Sequence, residues 1–189
     1  VTEGSSRIDP TLPLTAPSQQ GTITYIKPIK EQMLSLLWEL PPQLADDPTK
    51  SAELIAYTLQ RGQKYNLYEK LKKVLLVEGL SIETYHDGGH KLFDISMKLT
   101  ETGIKKIDEI CLHVFEALAL IQSTGIPTYL FHEKNDLAKI QFQYHSRPDA
   151  FAYVAKTAAL LADESLETFP RNTLLGSAYS PKTIGEVSS

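Results

Sequence analysis

The chain has 189 residues, 42% of them hydrophobic, enough to bury one sizeable core and more naturally one domain than two. Its 19 basic and 23 acidic residues leave a formal net charge of -4, which excludes a broad electrostatic grip on nucleic acid or anionic lipid. A single cysteine, Cys111, excludes an internal disulfide, and no apolar run approaches the roughly 20 residues that cross a bilayer. The chain therefore reads as soluble, whether cytoplasmic or periplasmic, with no nucleic acid and no membrane as partner.

Residues 1–21 combine serines, threonines and three prolines with little periodicity, and read as a linker or extended lead-in to a domain over 22–189. Thr22 to Lys27 is β-like in composition. Met33 to Leu40 sets Leu34, Leu36, Trp38 and Leu40 on one strand face, stopped by Pro41 and Pro42. A helix is expected between Asp47 and Gln60, with Pro48 in its first turn and Leu54, Ile55 and Leu59 at helical spacing. A second helix carries Leu67, Leu71, Val74 and Leu75 and ends at Gly79.

Leu80 to Tyr85 and Lys91 to Leu99 read as a hairpin turning through Asp87, Gly88 and Gly89. In its second strand Phe93, Ile95, Met97 and Leu99 alternate with Asp94, Ser96 and Lys98, so one face is buried and the other wet. Thr100 is the expected N-cap of one long helix whose stripe of Ile104, Ile107, Ile110, Cys111, Val114, Phe115, Leu118 and Ile121 ends at Gly125. Cys111 on that stripe reads as a small inert core residue. Pro127 opens a further helix with Leu130, Phe131, Leu137 and Ile140, and Pro148 another with Phe151, Val154, Ala155, Ala158 and Leu161. Strands gathered early and helices late give an α+β class, helices packed on one face of a largely antiparallel sheet.

Chemistry is sparse. His86 and His90, with Glu83, are the strongest candidate set for holding zinc and leaving a coordination position open. Two glycines between the histidines predict a turn rather than a helix face, so both read as surface turn residues. His132 and Glu133 are adjacent on a helix and diverge. His113 reads as half-buried, and His145 as the polar end of a helix. No Gly-x-Ser-x-Gly, Walker-type loop or Gly-x-Gly-x-x-Gly occurs, and Asp46 with Asp47 and Asp163 with Glu164 fall at element boundaries. No catalytic residue and no metal ligand is assigned.

The order of segments says more. Ile26-Lys27-Pro28-Ile29-Lys30 precedes Leu34-Ser35-Leu36-Leu37-Trp38-Glu39-Leu40-Pro41, and Asn66-Leu67 and Leu71-Lys72 follow. Phe93 to Leu99 runs into Leu99-Thr100-Glu101-Thr102-Gly103, then Val114-Phe115 and Leu120-Ile121. Gly125-Ile126-Pro127, Leu130-Phe131-His132-Glu133, Phe142, Arg147-Pro148 and Tyr153-Val154 complete the series. Over roughly Tyr25 to Val187 this resembles the insulinase/pitrilysin metallopeptidases, in the second, non-catalytic domain of their N-terminal half. Two features depart from the family. The inverted zinc motif His-x-x-Glu-His is absent, so no zinc or base role carries over, and Gly62-Gln63-Lys64-Tyr65-Asn66-Leu67 replaces a glycine-rich Gly-x-Gly-Ser-Leu.

The resemblance implies an αβ roll that ends at Ser189 before its closing strand. It implies a domain that lines the peptide chamber beside a zinc-bearing catalytic domain of the same protein, with no cofactor of its own. It further implies that Leu80, Ser81, Ile82, Glu83 and Thr84 form an accessory edge that anchors a peptide substrate. Two alternatives stand beside it: a scaffold relative without proteolysis, and an independent metal enzyme using His86 and His90.

Overall fold

The computed structural model describes residues 14, 18, 20–24, 31–45, 47–62, 64–87, 90–143, 154, 158, 167 and 178–187. Along the chain come β1 (Met33–Glu39), α1 (Pro42–Ala45), α2 (Ser51–Arg61), α3 (Leu67–Lys73), β2 (Val77–Asp87) and β3 (His90–Leu99). They are followed by α4 (Glu101–Ile104), α5 (Ile107–Thr124), α6 (Thr128–Gln143) and α7 (Pro181–Val187). The three strands form one antiparallel sheet in the order β1-β3-β2, and the class is α+β.

The alternation in β3 fixes the sheet. Phe93, Ile95, Met97 and Leu99 are buried, while Asp94, Ser96 and Lys98 keep partial exposure on the outer face. Trp38 of β1 lies opposite Phe93 and meets it edge to face, with ring centroids 6.1 Å apart. Against the inner face pack Leu54, Ile55 and Leu59 of α2, Leu67 and Leu71 of α3, Ile110, Val114 and Ile121 of α5, and Leu130 and Phe131 of α6. Ile184 of α7, a helix the sequence reading does not anticipate, joins the same core.

Several boundaries differ from expectation, each for a local reason. Thr22 to Thr24 form no strand, and residues 25–27 lie outside the described part. Pro48 stands ahead of α2 rather than in its first turn. The Asp47 carboxylate accepts from the Thr49 and Ser51 amides at 2.9 and 3.1 Å and so places the helix start at Ser51. α3 ends at Lys73, not Gly79. Leu75 takes a positive φ of 56° and turns the chain, which leaves Val74 and Leu75 exposed and buries Leu76 instead. Gly79 lies within β2, opposite Lys98, beside a bulge that absorbs Glu78.

The expected long helix is two. Thr100 caps the short α4, its hydroxyl accepting from the Gly103 amide at 2.9 Å, and the chain re-enters helix at Ile107. Its buried stripe is Ile110, Val114, Ala117 and Ile121, with Ile104 and Phe115 exposed and Cys111 half-buried. Gly125 ends α5 at a φ of 69° that only glycine adopts without strain. In α6, Leu130 and Phe131 are buried but Leu137 and Ile140 are exposed. Of the helix expected after Pro148 only Val154 and Ala158 are described, both exposed. His145 also lies outside the described residues.

A candidate peptide-binding edge

The direction of the backbone groups in β2 follows from β3. Leu40 N donates to Lys91 O, and Leu99 N donates to Gln32 O, each at 2.8 Å, so the odd-numbered residues of β3 bond toward β1. Antiparallel alternation turns its even-numbered residues toward β2, where they meet Gly79, Ser81, Glu83, Tyr85 and Asp87. By the same alternation the N–H and C=O groups of Leu80, Ile82 and Thr84 point away from β3, along the outer side of β2. Among the described residues no further strand pairs with that side.

The five residues singled out in the sequence therefore divide into two sets. Leu80, Ile82 and Thr84 contribute main chain to the edge, Ile82 with its side chain in the core. Ser81 and Glu83 spend their main chain on the ladder and raise exposed side chains from the outer face. There Ser81 donates to Glu83 at 2.9 Å, Ser96 donates to Asp94 at 2.8 Å, and Ser35 bonds Ser96 at 2.8 Å. Glu83 and Asp94 are direct cross-strand neighbours of like charge.

Two helix side chains reach the edge. Gln60, in the last turn of α2, donates to the Ile82 carbonyl at 2.9 Å, and the Tyr68 hydroxyl of α3 donates to the Glu78 carbonyl at 3.2 Å. Sequence reasoning missed both. A polar residue at the end of an amphipathic helix carries no signal that it will face a strand edge.

The histidines do not converge. His86 is opposite Lys91 and His90 opposite Asp87, so the two rings leave opposite faces of the sheet. Glu83 shares a face with His90, but its partner Asp94 is four residues along β3 from that histidine, a rise of roughly 13 Å. His86 is exposed as expected, whereas His90 is buried, with its Nδ1 2.7 Å from Glu39 Oε1. The other Glu39 oxygen accepts from the Leu14 amide at 2.8 Å and ties the lead-in to the sheet. His132 and Glu133 are both exposed, and Glu133 accepts from the Tyr57 hydroxyl at 2.7 Å. Half-buried His113 lies 3.1 Å from Glu116. Among the described residues no three His, Cys, Asp or Glu side chains are grouped to hold a metal ion.

One buried charge cluster was also missed. Lys91 bonds Glu53 at 2.8 Å, with Lys134 nearby; burial pushes the Lys134 ammonium below its ordinary range despite the attraction of Glu53. The signal was present in the sequence, because Lys91 falls in phase with Phe93, Ile95, Met97 and Leu99 on the core side of β3. Burial also pushes the Cys111 thiol up, with Asp108 adding to the shift, which suits an unreactive sulfur.

Among the described residues no single helix is long and apolar enough to cross a membrane. Residues 3–136 match the family model of the Peptidase M16 inactive domain. Over 96% of its length the chain is 26% identical to Protease 3 of Escherichia coli (strain K12), covering 19% of that protein. It is 24% identical over 98% of its length to a nardilysin-like protein of Arabidopsis thaliana, again covering 19%. The crystal structure of pitrilysin superposes with a TM-score of 0.76 at 25% identity, over 84% of this chain and 17% of that one. The chain thus spans about a fifth of the length of these curated relatives.

Proposed function

The chain belongs to the Peptidase M16 inactive domain family, and from that premise we propose that it is the non-catalytic domain of an insulinase-like zinc metalloendopeptidase, spanning 22–189 behind a lead-in of 1–21. It forms part of the wall of the peptide chamber, and Leu80, Ser81, Ile82, Glu83 and Thr84 are an accessory anchor for peptide substrate. The zinc and the water it activates belong to a catalytic domain of the same protein, which is this domain's partner.

One observation carries the anchoring role. β2 is an outer strand whose Leu80, Ile82 and Thr84 main-chain groups face away from the sheet, the geometry that strand addition requires. Main-chain bonds read an extended backbone and little of its sequence, which suits an enzyme that accepts varied peptides. Ser81 and Glu83 stand beside the incoming strand and favour polar or cationic side chains there.

The test is cleavage by the full-length protein of a long peptide and of a short one that spans only the catalytic centre. Proline at Leu80 or Thr84 removes an outward N–H, and should raise KM for the long peptide while leaving the short one unchanged. Equal kinetics for both substrates in both variants would remove the anchoring role.

A further inference from the structure

We propose that Gln60 is a displaceable cap on the peptide-anchoring edge, competing with bound peptide for the Ile82 carbonyl, with Tyr68 performing the lesser part of this at Glu78. The inference rests on the anchoring role of β2 and adds to it a residue that sets how tightly the edge binds.

A bare strand edge presents unpaired donors and acceptors in a row, and such rows pair with any extended chain they meet. Here that row is already interrupted. Ile82 is the central outward residue of the five, and its carbonyl is occupied by Gln60 Nε2 at 2.9 Å. The same amide lies 3.4 Å from Ala56 O, its own helix carbonyl four residues back, so a second acceptor stands within reach when the Ile82 bond is given up. At the start of the strand the Tyr68 hydroxyl covers Glu78 O from an exposed position at 3.2 Å. Leu80 and Thr84, on either side of Ile82, share its outward direction, and among the described residues no hydrogen bond from a helix side chain to their main chain accompanies the Gln60 and Tyr68 contacts.

An incoming strand that pairs with Leu80 and Thr84 must also present a donor at Ile82 to stay in register. That donor replaces the Gln60 amide one for one. The exchange conserves hydrogen bonds on the protein side, so peptide affinity is lowered by the competition and the edge is protected when no peptide is present. A side chain of the same length without a donor lifts the competition and leaves the Ile82 carbonyl short of a partner until peptide arrives.

The experiment measures the affinity of the full-length protein for a long labelled peptide, by fluorescence anisotropy, in wild type, Gln60→Met, Tyr68→Phe and Thr84→Pro. Gln60→Met is expected to tighten binding about three- to tenfold, the worth of one competing hydrogen bond. Tyr68→Phe, which removes one hydroxyl and leaves the ring packing in place, is expected to tighten it by less. Thr84→Pro is expected to weaken it. Unchanged or weaker binding in both Gln60→Met and Tyr68→Phe, with Thr84→Pro still weakened, overturns the cap and spares the anchoring edge. Unchanged binding in Thr84→Pro as well removes the edge itself and the cap with it. Should Gln60→Met fold poorly by thermal melting, the Tyr68→Phe result decides.

Discussion

Gly103 packs so closely on Leu76 that a β-carbon built on it would overlap the Leu76 carbonyl oxygen and crowd the carbonyl carbon. The contact comes from how α4 begins. The Thr100 amide donates to Leu76 O at 3.2 Å and its hydroxyl donates to Leu75 O at 2.7 Å, which draws the first turn of α4 onto the bend between α3 and β2. The spacing Leu99-Thr100-x-x-Gly103 therefore has a mechanical reason: threonine caps the turn, and glycine lets the capped turn lie against a backbone. Gly103→Ala should cost at least about 2 kcal/mol, since the obstacle is main chain rather than a movable side chain. Urea unfolding of the variant against wild type checks it. Gly185→Ala, inside α7 where nothing lies within 4 Å, serves as the control and should raise stability by up to about 1 kcal/mol through helix propensity.

The same bend shows what was legible in the sequence and what was not. β3 was readable because strict alternation over Phe93 to Leu99 has one physical solution, a sheet with one covered face. The end of α3 was not, because Leu67, Leu71, Val74 and Leu75 keep helical spacing past the point where Leu75 turns left-handed. Gly79 then imitates a helix stop while serving as a bulge residue. The break between α4 and α5 at Lys105 and Lys106 is likewise invisible to periodicity, since Ile104 and Ile107 fit one helix as well as two. Of the candidate site, the order of segments in the sequence singles out Leu80 to Thr84, but the division of that segment into main-chain and side-chain contributors needs the pairing register.

The buried pair of Lys91 and Glu53 predicts a specific acid sensitivity. Burial alone would push the Glu53 carboxyl up, yet the adjacent Lys91 ammonium, joined by the Glu53 backbone amide and the charge of Lys50, outweighs it and holds the group below its ordinary 4.5. Between that lowered value and 4.5 the unfolded chain binds the extra proton, so the stability this group supplies is present above 4.5 and is lost as pH falls through the folded value. Denaturant midpoints measured as pH is lowered should fall less steeply in Glu53→Gln than in wild type. Lys91→Met at neutral pH should cost on the order of 2–3 kcal/mol, below the range for a fully buried pair because the Glu53 side chain retains 23% exposure.

Tyr57 and Glu133 give the opposite limb. Burial together with the Glu133 carboxylate pushes the Tyr57 phenol up to about 12. A raised folded value means stability that is whole below the ordinary 10.0 and is lost as pH rises through about 12. Ultraviolet titration of wild type should contain a late phenol ionisation near that value, and that step should be absent in Tyr57→Phe. The substitution should also cost about 1 kcal/mol at neutral pH, from a bond joining α2 to α6.

The outward direction of Leu80, Ile82 and Thr84 can be tested without any substrate. Proline is tolerated in a strand where its missing N–H faces away from the ladder, and it breaks pairing where that N–H bonds a neighbour. Thr84→Pro should therefore shift the unfolding free energy by no more than about 1 kcal/mol, while Glu83→Pro, one residue earlier, strands an acceptor on Asp94 and adds a loss of about 1–3 kcal/mol to any strain of the ring. Threonine has the higher β-propensity of the two, so propensity alone would make the loss at 84 the larger, and the opposite order reports bond direction. Chemical denaturation of the two variants side by side reads it directly. Equal losses at 83 and 84 would mean that β2 is bonded on both sides, and a strand so bonded has no edge left to offer a peptide.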